Sequence, residues 1–335
     1  MKKLGLGMIG TGLISAAFVS AVRKTDAFEV VSVYSRSIEQ GTEFARKNQI
    51  PNIKVDLDDF LQDPMIDVVY IASPNDLHYP QAKRALLAGK DVISEKPMVS
   101  TQKEMDDLVR TMSVSGKYVV EAITSRHVPN LEVLRTSLPR IGNVKLIRSD
   151  MSQYSSRFQA FINGEVANVF SPDHSGGALY DIGIYPVSLM ISLFGAPDSV
   201  AYQANIYPNG IDGSGVMTMN FKDKIAVCTF SKDSYGPNST IIEGESGYIQ
   251  IEGTPSRIKS LTLVKQGVAE ELGLSQEDEM MVYEASEFAT LFSSRNQEKL
   301  DELTRHSLIL SRVMEEGRRQ AGIRFKADDR VIEID

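Results

Sequence analysis

The stretch Leu4-Gly5-Leu6-Gly7-Met8-Ile9-Gly10-Thr11-Gly12-Leu13-Ile14-Ser15 constrains this chain more than any other. A short apolar run that breaks on two glycines and resumes with a helical pattern reads as a strand, a tight turn and a helix. Gly10 and Gly12 take the first two places of the pattern G-x-G-x-x-G, and Ser15 takes the third. The first glycine permits the turn, the second lets the backbone approach a pyrophosphate, and a small third residue lets helix pack on strand. The start of the helix then offers unpaired N–H groups and a positive dipole end to the phosphates. Thr11, Leu13 and Ile14 are the remaining candidates of this loop. A plain strand–helix connection can look the same, so the reading depends on whether the unit recurs along the chain.

It does recur. Candidate strands fall at 4–9, 30–34, 53–55, 68–72, 92–94 and 118–122, with helical stretches between them. That alternation predicts a parallel, doubly wound α/β sheet. One helix ends at Ala88 with Gly89 as its C′ residue, and another opens on Thr101 and Glu104 at capping-box spacing. After about residue 123 the pattern changes to longer alternating segments at 143–149, 199–206, 216–221, 226–231 and 248–251, which predicts an α+β domain with a large, mostly antiparallel open sheet. A last helix is expected at about 299–320, with Leu303, Leu310 and Met314 on one face and Gly322 ending it. A chain of 335 residues exceeds the usual size of one core. The expected domains are 1–123, holding the dinucleotide, and 124–335, for substrate and self-association, with the last helix able to pack back on the first.

Composition narrows the partners. Thirty-six basic residues against 44 acidic ones give a net charge of -8, without a dense basic stripe, so nucleic acid is not expected. The single Cys228 lies in the apolar run Ile225-Ala226-Val227-Cys228, which predicts an inert buried thiol and a reducing, cytoplasmic setting. Glycines interrupt the apolar run after Lys2 and Lys3, which reads as a strand and not a signal peptide. No apolar run approaches the roughly 20 residues of a membrane helix, so no membrane is expected. Histidines at 78, 127, 174 and 306 lack ligand spacing, so no metal is expected either.

An NAD-binding chain usually ends its second strand on an acid that accepts hydrogen bonds from the ribose. Here that place reads Tyr34-Ser35-Arg36-Ser37. The guanidinium of Arg36 suits a 2′-phosphate, and the serine hydroxyls are expected to add hydrogen bonds to it, so NADP is predicted over NAD. If Arg36 is merely solvated or stacks on adenine, both cofactors bind.

Three further motifs are Ala72-Ser73-Pro74-Asn75-Asp76-Leu77-His78, Gly89-Lys90-Asp91-Val92-Ile93-Ser94-Glu95-Lys96-Pro97 and Gly176-Gly177-Ala178-Leu179-Tyr180-Asp181-Ile182-Gly183-Ile184-Tyr185. In these motifs, their order and their spacing, the chain resembles the Gfo/Idh/MocA oxidoreductase family over essentially its whole length, and within it the branch of glucose-fructose oxidoreductase and dimeric dihydrodiol dehydrogenase. The resemblance implies that Glu95-Lys96-Pro97 ends the fifth strand with Lys96 facing the nicotinamide. There a lysine can hydrogen-bond a carbonyl and donate a proton as hydride arrives, and a dry site beside a positive ring would lower its pKa. It also implies Tyr185 as proton donor or relay and Asp181 as the carboxylate that orients substrate hydroxyls, on one face if the segment is helical. Ser73, Pro74, Asn75 and His78 would lie along the nicotinamide half of the cofactor, although His78 equally well just begins a helix. Glu121 and Arg126 resemble the crossing into the second domain. Val128 stands where relatives often carry histidine, which detaches sugar specificity from the resemblance, and His174 either reaches substrate or, as is expected ahead of that, is a loop histidine in solvent.

The implied activity is reversible hydride transfer between NAD(P)(H) and a CH–OH or C=O carbon of a small polyhydroxylated substrate: a sugar, a sugar derivative or a cyclic diol. A homodimer or homotetramer built on the open sheet is implied as well. The competing class is a dinucleotide-binding sensor on the same scaffold, which the joint presence of Lys96, Asp181 and Tyr185 disfavours. A transhydrogenase with tightly held cofactor ranks below both.

Overall fold

A computed structural model describes residues 3–332. The chain separates into two compact units, one holding the chain up to Ala122 with Glu279–Leu308, the other Ile123–Asp278 with Ile309–Arg330.

The first unit alternates β1 (Leu4–Ile9), α1 (Leu13–Thr25), β2 (Phe28–Tyr34), α2 (Ile38–Lys47), β3 (Asn52–Lys54), α3 (Leu57–Leu61), β4 (Val68–Ile71), α4 (Asn75–Leu87), β5 (Asp91–Glu95), α5 (Gln102–Ser115) and β6 (Val119–Ala122). The strands run parallel in the order β3-β2-β1-β4-β5-β6. The order reverses between β1 and β4, and open sheets of this kind bind ligands beyond the carboxyl ends of their strands at that reversal. Side chains alternate between two apolar layers: Met8, Val68 and Tyr70 join one, and Ile9, Val69 and Ile71 the other. Burial on both faces explains why β4 reads as an unbroken apolar run. The local stops are as expected. Gly89 has φ +75° and donates to Leu86 O at 3.0 Å, and Thr101 and Glu104 form a reciprocal capping box.

The second unit comprises α6 (Pro129–Ser137), β7 (Val144–Ser152), α7 (Phe158–Ile162), α8 (Ile184–Phe194), β8 (Ser199–Ile206), β9 (Asp212–Phe221), β10 (Lys224–Ser231), β11 (Ser239–Gly244), β12 (Gly247–Glu252), β13 (Thr262–Lys265) and β14 (Val268–Glu271). Eight strands form one sheet in the order β14-β13-β12-β11-β7-β10-β9-β8, antiparallel except for the β7–β10 pair. One face is buried through Ile147, Met217, Ala226, Cys228, Phe230 and Ile242, with α8 packed on β7 and β10. The other face carries Arg148, Val216, Ile225 and Tyr248 into solvent. Burial pushes the Cys228 thiol above its ordinary pKa, as suits an inert side chain.

Two helices close the chain. α9 (Met281–Ser294), for which no element was expected, packs on α1 through Phe288 and Phe292. Arg295, just beyond it, grips Asp91 at the start of β5 with two hydrogen bonds of 2.8 and 2.7 Å. α10 (Gln297–Gln320) buries Leu303, Leu310 and Met314. Contrary to expectation, the helical stretch Pro172–Phe194 is long and apolar enough to cross a membrane by length and composition. Of its most apolar window 72% is buried within the protein, which is the environment of a core helix.

Candidate functional site

A cavity of about 520 Å³ opens over the carboxyl ends of β1, β2 and β4, at the strand reversal. Gly10, Thr11, Gly12, Ser35, Arg36, Ser73 and Pro74 all line it; Leu13, Ile14, Asn75 and His78 do not, and Leu13 is exposed. Gly10 has φ +108°, and a Cβ there would lie 2.5 Å from Ala72 O, so the turn itself demands glycine. Gly12 differs. A Cβ on it would meet nothing within 4 Å, so room in the cavity, not protein packing, calls for a bare backbone. Gly12 is also the N-cap of α1 and supplies no side-chain cap, and no acidic residue stands in the first turn. The leading N–H groups of a 13-residue helix thus start beside the cavity with no side-chain cap and no acidic residue in the first turn. These residues fit a dinucleotide's pyrophosphate.

At the far end Arg36 is exposed, lines the cavity and makes no hydrogen bond or ion pair among the described residues. The serine hydroxyls are placed otherwise than expected. Ser35 Oγ donates to Ser37 O at 2.8 Å, and Ser37 Oγ caps α2 through Gln40 N and donates to Glu39 at 2.6 Å. A hydroxyl has one proton to give, so both serines here shape the turn, while the Arg36 guanidinium lines the cavity with no partner among the described residues.

The turn after β5 is held from several sides. Between Asp91 and Ser100 every residue is buried except Lys96, which is half-buried. Glu95 accepts from Tyr70 Oη at 2.6 Å and from Lys96 N at 3.3 Å, and burial raises its carboxyl above the ordinary range. Glu121 accepts from Met98 N at 2.8 Å and from Ser307 Oγ at 2.7 Å. His78 is buried, its Nδ1 2.9 Å from Pro97 O and its Nε2 2.8 Å from Ser73 O, so it bridges the cavity wall to the lysine turn. Burial lowers its pKa. The Lys96–Pro97 bond is cis. The backbone of Lys96 is therefore fixed by neighbours while its side chain is the part left accessible.

In the second unit, Asp181 and Tyr185 lie on one continuous helical segment. Residues Leu179–Gly183 form a π-helical turn that runs directly into α8, where Tyr185 is the second residue. Wide turns of this kind recur at functional sites. The segment is anchored by the buried Asp212, which accepts from Leu179 N at 2.7 Å and Tyr202 Oη at 2.6 Å. Burial raises the Asp212 carboxyl, against these donors. Gly177 gives the carboxylate its room: it has φ +110°, and a Cβ there would stand 2.1 Å from Asp212 Oδ1. Gly177→Ala is expected to cost roughly 2–4 kcal/mol of stability, from backbone strain and the displaced cap. Urea unfolding at unchanged m would show this, and an unaltered midpoint would refute the anchoring role. His174 is half-buried in a short turn, and Arg126 sits in the 3-10 turn Thr124–Arg126.

Sequence reasoning passed over Lys232. Its ammonium pairs with Asp181 and is buried, 4% exposed, with Phe170 5.9 Å away. It stands in Phe230-Ser231-Lys232-Asp233, 51 residues from its partner, where no local pattern marks it.

Strand order, glycine turn and uncapped helix end define the first unit as a dinucleotide-binding domain. The chain belongs to the GFO/IDH/MocA oxidoreductase family: residues 4–122 match its NAD-binding Rossmann domain and residues 139–250 its C-terminal domain. It is 35% identical over 323 residues to the scyllo-inositol 2-dehydrogenase (NADP(+)) IolU of Bacillus subtilis, covering 96% of this chain and 98% of that one. To the trans-1,2-dihydrobenzene-1,2-diol dehydrogenase of Danio rerio it is 29% identical, covering 96% and 98%. The fold is shared with KijD10, a 3-ketoreductase from Actinomadura kijaniata whose structure is in complex with NADP and TDP-benzene, at a TM-score of 0.86, 20% identity and coverage of 95% and 98%.

Proposed function

We propose that this protein transfers a hydride between NADP(H) and a CH–OH or C=O carbon of a small polyhydroxylated substrate, a sugar, sugar derivative or cyclic diol. The observation that carries the cofactor choice is Arg36: an exposed guanidinium with no partner among the described residues, on the cavity wall where an NAD site would present a carboxylate. The relatives named for inositol and dihydrodiol dehydrogenation support the substrate class.

When bound, the nicotinamide supplies the hydride chemistry. Lys96 donates a proton to the reacting carbonyl oxygen in reduction and accepts it back from the hydroxyl in oxidation. Tyr185 shares that proton as donor or relay, and Asp181 accepts hydrogen bonds from substrate hydroxyls and so orients the ring. The braced turn around Lys96 and the anchored helix bearing Asp181 and Tyr185 keep these groups from wandering, which is the condition for such catalysis. The first unit serves the dinucleotide and the second the substrate. Titration with NADPH and NADH, followed by nicotinamide fluorescence, tests this: NADPH is expected to bind more tightly, and binding of neither would overturn the whole reading.

The second unit also joins copies of the chain through its open sheet face, in a cytoplasmic dimer or tetramer. Val216 and Ile225 are 43% and 45% exposed on that face, an apolar display that a partner would cover. Light scattering on the eluted protein is expected to give at least twice 37.0 kDa, and a monomer mass would rule this out.

A further inference from the structure

We infer that Lys232 reads the substrate together with Asp181, and that the pair selects a neutral ring carrying two neighbouring hydroxyls. This rests on the oxidoreductase reading above and extends it to a residue that reading leaves without a role.

The ammonium of Lys232 carries three N–H donors. Its side chain is 5% exposed, and its one hydrogen-bond partner among the described residues is Asp181. Its main chain is fixed as well: Lys232 N donates to Gly213 O at 2.8 Å, and Lys232 O accepts from Ser155 N at 2.9 Å. The adjacent Asp233 is taken up by Ser231 Oγ, Tyr207 Oη and Ser214 Oγ. A buried ammonium with one of three donors used is costly unless oxygen atoms reach the others. Asp181 is 30% exposed by side chain, so the pair opens to solvent on the carboxylate side. A ligand arriving there meets an acceptor and a donor side by side. Two neighbouring hydroxyls satisfy both: one donates to Asp181, and the oxygen of the other accepts from Lys232.

Charge fixes the rest of the class. The pair is neutral overall, so a carboxylate or phosphate on the substrate would gain from the lysine and lose against the aspartate in the same place. The ammonium lies 5.9 Å from the centre of the buried ring of Phe170, on which Phe161 stacks at 4.8 Å, and Tyr207 stands edge-to-face with Phe161 with ring centres 5.3 Å apart. Phe161 and Tyr207 are only half-buried, which leaves an apolar wall suited to the C–H face of a ring.

The test compares NADP-linked oxidation of trans-1,2-cyclohexanediol and cyclohexanol by the whole protein and by Lys232→Met, which keeps an unbranched stem of similar bulk. The wild type is expected to favour the diol by about 100-fold in kcat/KM, and Lys232→Met to lose about 10- to 100-fold on the diol, with little change on cyclohexanol. Lys232→Arg is expected to restore most of the preference. NADPH affinity should be the same in all three. Equal losses on both alcohols would reduce Lys232 to a structural brace and overturn the inference, as would wild-type protein that turns over neither or both alike. In those outcomes NADPH still binds, so the oxidoreductase reading survives; loss of NADPH binding in the wild type itself would remove both.

Discussion

Lys96→Met is expected to lower kcat and kcat/KM together by about 100- to 10,000-fold, the range that a positioned proton donor contributes, while NADPH binds as before. The separation comes from the way the turn is built. Met98 N is held by Glu121, Pro97 O by His78 and Lys96 N by Glu95, so the backbone does not depend on the lysine side chain. Nor does Lys96 line the cavity around Gly10, Gly12 and Arg36. Tyr185→Phe, which removes one hydroxyl from the second residue of α8, is expected to fall in the same range. Single-turnover measurements at saturating NADPH read the chemical step directly. Full turnover in Lys96→Met would remove the lysine from the mechanism, and full turnover in Tyr185→Phe would make the tyrosine a packing residue.

Arg36→Ala is expected to weaken NADPH binding by about 10- to 100-fold and to leave NADH nearly untouched, because only NADPH presents a phosphate to the guanidinium. The two serines beside it cannot compensate: their protons are given to Ser37 O and Glu39. Since Arg36 is exposed, the wild-type preference should shrink as salt rises, whereas the pyrophosphate contacts at the start of α1 are common to both cofactors. Parallel titrations at low and high salt read both effects. Equal losses for NADPH and NADH would mean that Arg36 stacks on the adenine instead.

The first unit was legible because its signals are local. A glycine turn after an apolar run, a capping box at Thr101 and Glu104, and a C′ glycine at 89 each act within a few residues, and the parallel strands between them are too buried to carry a polar alternation. The second sheet was read less completely. β14 is exposed along its whole length and β13 buries only Leu263 among its four residues, so neither shows an alternating face to the eye; they exist because each pairs with the strand before it. α9 was passed over although it completes the apolar layer on α1.

What the sequence determined by itself was the doubly wound domain, the glycine turn after β1 and the missing acid after β2, all carried by residues close together along the chain. The tertiary structure alone decided that His78 and Glu121 brace the Lys96 turn, that Asp212 needs Gly177 bare, and that Asp181 is paired with Lys232. The reason is physical: a hydrogen bond or ion pair between residues tens of positions apart depends on where the folded sheet brings them, and leaves no period or spacing in the sequence to be read.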